Sequence, residues 1–358
     1  MNILLFPRIL AKTGVGNYVK MLAEELTVQG HNVVVVSGTK ELELNEKVKF
    51  VSLPVTSNNP VRILNVIRKL HKIARDYNIQ IVHCHHRKTA LIMKLYNICY
   101  RMPFVYTLHS TNIPNDFVHR KLTFVGKQAI ATSNDVRKSL INELGISANK
   151  ITNIPNGVKI ITVTNEQVEE CKKRWNLPRN KYILTMHSRI DRIKNHLLMV
   201  EAVNKLSEKA KSKIVVVCSG EKKGEYYEKV ARRIDELGLN EIFRFVGWSD
   251  TQSVLGVSDF LFLPSFKEGF PLSVVEAFFL KVPVARTKTA GFEEQKFCLP
   301  IDMNDPQPIV NIIEDLVENG KQQYSERIES AYNLALEEFT VEVMTAKNVK
   351  VYEEVCKK

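Results

Sequence analysis

Val33–Val36 is an unbroken run of four valines. A strand with water on one face alternates apolar and polar residues, so a run that is apolar at every position belongs to a parallel strand covered on both faces. Short apolar runs recur along the chain at Ile3–Phe6, Lys49–Leu53, Ile79–Val82, Phe104–Leu108 and Ala129–Thr132. Helical patterns lie between them, at Tyr18–Val28, Val61–Tyr77, Lys88–Cys99 and Asp135–Leu144. In the first of these, Val19, Leu22, Ala23 and Leu26 fall at i, i+3, i+4 and i+7, one face of a helix. Strands alternating with helices predict a doubly wound parallel sheet.

The pattern then begins again. Tyr182–Met186, Ile214–Cys218, Ile242–Val246, Phe260–Leu263 and Val282–Ala285 read as strands. Asn195–Lys209, Tyr227–Leu237, Thr251–Val257, Ser273–Leu280 and Ile309–Glu318 read as helices. At 358 residues the chain is too long for one ordinary domain and long enough for two cores. The expected division is 1–162, 163–340, and a helix over 341–358 that returns toward the N-terminal domain. Open α/β sheets bind ligands outside the carboxyl ends of their strands. Two such domains facing each other are expected to enclose one cleft.

Composition narrows the class. The sequence is 44% hydrophobic and 25% charged, as in a soluble globular protein. It has no run long enough to cross a bilayer and no signal-peptide pattern at MNILLFPRIL. Cys84, Cys99, Cys171, Cys218, Cys298 and Cys356 form no C-x-x-C pair, so a reduced, cytoplasmic setting is expected. The net charge of +12 calls for an anionic partner: phosphorylated substrate, anionic membrane surface or nucleic acid. Arg62, Arg68, Lys69, Lys72 and Arg75 fall in one predicted helix, and Arg87, Lys88, Lys94 and Arg101 follow it.

The segment with the most chemistry is PSFKEGFPLSVVEA, Pro264–Ala277, at a strand–loop–helix junction. Such a junction turns backbone N–H groups and a helix N-terminus toward a crevice, where an anion or polyol is held. Glu268 and Glu276 stand eight residues apart across it, and spacing alone allows a general acid/base pair. Gly269 permits close backbone approach to a ligand. In HCHH, His83 and His85 share a strand face and His86 takes the other. With no carboxylate or second cysteine nearby, HCHH departs from the usual zinc sets, and no metal is expected.

This segment resembles the signature of family 4 retaining glycosyltransferases, which have the GT-B fold of two Rossmann-like domains. Other stretches agree: TGVGNYVKMLAEELTVQGHNVVVVS (Thr13–Ser37), IPNGV (Ile154–Val158), SRIDRIKN (Ser188–Asn195) and TAGFEE (Thr289–Glu294). The resemblance implies a metal- and cofactor-free hexosyltransferase using a nucleotide-sugar donor, UDP-sugar first, and a glycan or lipid-linked acceptor. It implies that Arg189 and Lys194 grip the diphosphate, that Glu268 meets hydroxyls of the transferred sugar, and that Glu276 binds the ribose. Gly269, Phe270, Pro271 and Leu272 would line the donor. Gly14 and Gly16 would belong to a loop near the diphosphate, with Gly14 the better match. His109 would lie beside the transferred sugar, with His85 or Arg87 on the acceptor side. Arg192 is the nearest competitor of Lys194.

The chain departs from the family pattern at Thr13, Ser188, Asn195, Pro271, Lys281 and Ala290, each replacing a glycine. Pro271 removes one N–H but suits a first helical turn. Gly291 remains at the late turn, followed by Glu293 and Glu294. The reading is thus a retaining transferase of cell-surface polysaccharide or glycolipid synthesis, cytoplasmic and peripheral on the inner membrane face. The alternatives are a nucleotide-sugar epimerase of similar architecture and a basic non-enzymatic nucleic-acid binder; the joint presence of the acidic and Arg–Lys pairs favours the first, with no nucleic acid as partner.

Overall fold

The computed structural model describes residues 1–111 and 122–357. The chain divides into two compact units, Met1–Lys159 with Glu338–Lys358, and Ile160–Glu337. Each is built on an all-parallel sheet.

In the first unit the strands are β1 (Asn2–Phe6), β2 (Asn32–Ser37), β3 (Lys49–Ser52), β4 (Ile81–Cys84), β5 (Phe104–Leu108), β6 (Gln128–Ala131) and β7 (Ile151–Asn153), in the order β3-β2-β1-β4-β5-β6-β7. Alternate side chains feed two cores. Leu4, Phe6, Val34 and Val36 pack with Leu70, Ile92 and Val136 of helices Pro60–Asp76, Arg87–Cys99 and Asn134–Asn142. Ile3, Leu5, Val33 and Val35 pack with Tyr18 and Leu22 of helix Gly14–Val28 and with Met344 and Tyr352 of helix Val341–Lys357. Both faces of the valine strand are therefore covered.

The terminal helix is tied in by polar contacts as well. Val158 donates its N–H to the Phe339 carbonyl at 2.9 Å, and Val341 donates to the Val158 carbonyl at 3.0 Å. Gly157 explains the glycine of IPNGV: a Cβ there would lie 2.2 Å from the Thr340 carbonyl oxygen. Buried His83 bonds the Tyr352 hydroxyl and the Thr107 hydroxyl, both at 2.6 Å. His86 instead stands at the N-cap position of helix Arg87–Cys99 without a side-chain cap bond, and its Nδ1 accepts the Arg8 N–H at 3.0 Å.

The second unit contains β8 (Tyr182–His187), β9 (Ile214–Ser219), β10 (Phe243–Gly247), β11 (Phe260–Leu263), β12 (Val284–Thr287) and β13 (Leu299–Ile301), in the order β10-β9-β8-β11-β12-β13. Leu184, Val216, Phe260, Phe262 and Ala285 join Met199, Ile234 and Ile313 from flanking helices in its core. Sequence periodicity misses β7 and β13, of three residues each, and helices Asn165–Arg174 and Ser325–Glu338. The first of these helices carries a capping box, Thr164 with Gln167, that marks its start. The expected helix over 195–209 is two, His196–Lys205 and Glu208–Lys213, because Ser207 caps the second by accepting the Ala210 N–H at 3.1 Å. Among the described residues no helix is long and apolar enough to cross a membrane.

Tyr352→Ala removes a buried ring and leaves His83 short of one partner. We expect a loss of about 3–5 kcal/mol in chemical denaturation. A loss under about 1 kcal/mol would contradict this account of the terminal helix.

Candidate functional site

In the second unit the strand order reverses between β8 and β11, the point at which open α/β sheets hold ligands. The segment after β8 makes a short 3-10 turn, Arg192–Lys194, capped by Asp191, whose carboxylate accepts the Lys194 N–H at 3.1 Å. Asn195 follows with φ +56°, a left-handed conformation that glycine or asparagine tolerates. Its side chain donates to the Pro264 and Met303 carbonyls at 3.3 and 2.9 Å. Phe266 donates its N–H to the Ile193 carbonyl at 2.8 Å, so the post-β8 and post-β11 loops are stitched together.

That stitching brings Lys194 Nζ to 2.6 Å from Glu268 Oε1, with side chains only 17% and 9% exposed. Arg189 does not join them. It is 74% exposed and pairs with Asp191 at 3.2 Å. Arg192 is exposed as well.

Glu276 lies in the second turn of helix Leu272–Phe279 and hydrogen-bonds the Thr251 side chain. The Thr251 hydroxyl is in turn 3.1 Å from His187 Nε2 at the end of β8. Burial pushes the Glu276 carboxyl up to about 7, the Thr251 bond opposing it, and burial pushes His187 down to about 4. The two glutamates therefore sit in different settings: Glu268 against a cation, Glu276 against a neutral hydroxyl–imidazole chain. Pro271 precedes that helix as its N-cap and is not in its first turn; its ψ of 121° is extended, and Leu272 opens the helix.

A clamp that the sequence reading did not anticipate holds this loop. Arg286 on β12 is fully buried and donates to the Gln295 side-chain oxygen, to the Thr289 and Ala290 carbonyls at 3.1 and 2.9 Å, and to the Thr289 hydroxyl. Gln295 passes the restraint on, donating to the Pro271 carbonyl at 3.0 Å. Thr287 donates to the Ser265 carbonyl at 2.6 Å. The segment carrying Glu268 and Gly269 is thus pinned at Ser265 and Pro271. The signal for it was an arginine and a threonine ending an apolar strand. Lys281, another position where a family glycine is replaced, has φ +54° and reaches Glu329 at 2.7 Å.

In the first unit, His109 follows β5 and His85 follows β4. His85 Nδ1 and His109 Nε2 are 3.4 Å apart, and the Tyr18 ring is 4.8 Å from that of His109. Burial drives His85 well below 6.5 and His109 to about 3, so both rings are neutral. Gly14 and Gly16 lie in the first turn of helix Gly14–Val28, not in the loop expected of them, because Thr13 caps the helix there by accepting the Gly16 N–H at 3.2 Å. The need for glycine falls at Gly16, where a Cβ would lie 1.9 Å from the Ala11 carbonyl oxygen; at Gly14 it would meet nothing within 4 Å.

Arg286→Ala strands several buried oxygens, and we expect it to cost on the order of 3 kcal/mol in denaturant unfolding. Loss of only a few tenths would sink the clamp. For Glu276 the sign is definite: its folded-state value near 7 exceeds the usual 4.5, so the folded protein binds the extra proton between these pH values. Its contribution to stability is lost as pH rises from about 4.5 to 7. Melting curves of wild type and Glu276→Gln should diverge across that window, wild type losing ground; parallel curves would refute the shift.

Residues 12–162 match the profile of Glycosyltransferase Family 4, and residues 167–333 match that of Glycosyl transferases group 1. The chain is 27% identical over 255 residues to UDP-Gal:alpha-D-GlcNAc-diphosphoundecaprenol alpha-1,3-galactosyltransferase of Escherichia coli. That match spans 65% of each protein, just under two thirds of the relative's length. It is 25% identical over 291 residues to N-acetyl-alpha-D-glucosaminyl L-malate synthase of Bacillus anthracis, covering 76% of this chain and 75% of the relative. Among solved structures, a glycosyltransferase from Rickettsia africae ESF-5 superposes with a TM-score of 0.86 at 24% identity, covering 100% of this chain and 99% of that one. Anabaena HepE in complex with UDP-glucose superposes with a TM-score of 0.82 at 18% identity, covering 98% and 99%. At such identities the structural likeness establishes the fold. With one profile falling on each parallel sheet and the two together spanning most of the chain, the chain belongs to the family 4 glycosyltransferases of GT-B fold.

Proposed function

We propose that the protein is a retaining glycosyltransferase that moves a sugar from a nucleotide diphosphate sugar, UDP-sugar first, to a hydroxyl of a glycan or lipid-linked acceptor. The observation that carries this reading is the Lys194–Glu268 pair, 2.6 Å apart at the switch point of the second unit. An ammonium has three N–H donors. With one engaged by Glu268, the other two serve phosphate oxygens, and Glu268 keeps acceptor capacity for sugar hydroxyls.

When the bond from the anomeric carbon to phosphate oxygen breaks, negative charge grows on the diphosphate. A cation already in place stabilises that charge without reorganisation. Arg189 is the second cation; its exposed pair with Asp191 is weak enough to exchange for phosphate. These cations do the work a divalent ion does elsewhere, so turnover should persist in chelator. No carboxylate takes the role of nucleophile. The leaving phosphate receives the acceptor's proton as the acceptor attacks from the same face, which retains configuration. Neutral His109 offers a hydrogen bond to the transferred sugar. Gly269–Leu272 line the donor, and ionised Glu276 accepts from the two ribose hydroxyls.

The UDP-galactose in the Escherichia coli relative's name and the UDP-glucose bound to Anabaena HepE support a UDP-sugar donor. The first relative's name also supports a lipid-linked acceptor. We place the protein in cell-surface polysaccharide or glycolipid synthesis, in the cytoplasm at the inner face of the membrane.

Purified protein offered UDP-, GDP- and ADP-sugars should bind and slowly hydrolyse a UDP-sugar. Lys194→Ala should cut turnover by about 100-fold or more with an unchanged circular dichroism spectrum; wild-type turnover would overturn the assignment. Donor affinity should rise as pH passes about 7, where Glu276 ionises, and Glu276→Gln should flatten that rise. A pH-independent wild-type affinity would remove Glu276 from the ribose.

A further inference from the structure

The first unit has its own strand-order reversal, between β1 and β4, and a cavity of about 680 Å³ opens beside it. Its walls include Ile63, Leu91, Ile92 and Leu95, and its lining includes Arg8, Arg87 and Lys88. Arg8 is close enough to Lys88 and His86 to lower both, after burial has done so. His85 lines the same cavity at 3% exposure, and its Nε2 has no hydrogen-bond partner among the described residues. Such a buried polar atom is costly unless a ligand meets it.

Polar and apolar features are arranged in a line. Lys88, Leu91, Leu95 and Ile98 lie at i, i+3, i+7 and i+10 of helix Arg87–Cys99, hence on one face. Cations stand at the N-terminal end of that face, where the helix dipole also favours an anion. Toward the other end, Leu95 and Ile98 are 37% and 76% exposed, apolar side chains on a helix that spends its remaining buried positions on the core. From Lys88 to Ile98 the stripe runs about 15 Å. Residues 60–101 hold nine Lys and Arg against one acid, Asp76, so this part of the unit attracts anions. A polar glycan would gain nothing from the leucine stripe, and a free phosphate would use only its head.

We propose that this cavity takes an anionic amphiphile, a phosphate or diphosphate on a prenyl or alkyl chain, with the phosphate among Arg8, Arg87 and Lys88 and the chain along Leu91, Leu95 and Ile98. This rests on the transferase reading and narrows it: the acceptor hydroxyl is carried by a lipid phosphate, and His85 Nε2 bonds the polar part of that acceptor.

The test is calorimetric titration of the full chain with farnesyl diphosphate, below its aggregation concentration, and with inorganic diphosphate. Farnesyl diphosphate should bind about tenfold tighter or more, the surplus coming from the buried chain. Leu95→Asp, and separately Ile98→Asp, should remove most of that surplus while UDP affinity stays as in wild type. Arg8→Glu should weaken both ligands. Val28→Asp, which changes another highly exposed apolar residue of this unit, should alter nothing. Equal affinity for the two diphosphates overturns the proposal. So do wild-type binding by both aspartate variants, and an equal loss in Val28→Asp, which signals indiscriminate adsorption. Failure of wild type to bind UDP would instead strike the transferase reading, because it leaves the farnesyl comparison standing.

Discussion

The central parallel strands of this protein are covered on both faces, and the rest of the architecture follows. A strand such as Val33–Val36 has no surface to give to chemistry, because both sides are core. Polar function is therefore displaced to the strand ends. His85, His109, His187 and the loops carrying Lys194 and Glu268 all lie just at or past the carboxyl end of a strand. The reversal of strand order parts the loops there, and His85 in the first unit and Lys194 with Glu268 in the second lie beside it.

The same constraint explains why the pinned loop is so heavily restrained. A loop that leaves the end of a strand has lost its ladder partners, and its backbone must find others. Gln295, itself held by Arg286, and Thr287 supply them from inside the core. A buried arginine would be costly by itself, but here its donors meet oxygens of one short segment. The effect is to hold Glu268 against Lys194 before any ligand arrives, the kind of pre-placement that electrostatic stabilisation requires.

The histidines show how environment separates residues of one type. His83, His85 and His86 are neighbours in sequence, yet one is bonded inside the core, one faces a cavity with its Nε2 unmet, and one accepts the Arg8 N–H. The glutamates divide similarly: burial without a cation raises Glu276, whereas Glu268 is ion-paired. Chemical identity sets what each group is able to do, and its neighbours select which of those things it does.

The sequence by itself determined the class of fold. Apolar runs of strand length, broken by helical periodicity and repeated in two series, leave little besides two parallel sheets. The family motifs singled out candidate residues, and one pair of them, Lys194 and Glu268, meets in space. Elements of three residues, such as β7 and β13, were illegible because a pattern needs more positions than they have. Helix starts depended on caps: Thr13 moved Gly14 and Gly16 out of a loop, and Ser207 split a helix. Only the tertiary structure decided which charges pair. It turned Arg189 outward to Asp191, placed Thr251 and His187 behind Glu276, and tied the loop to Arg286 through Gln295. The physical reason is that periodicity records burial, one residue at a time, whereas a hydrogen bond or ion pair depends on distances between residues far apart in the chain, which no local pattern contains.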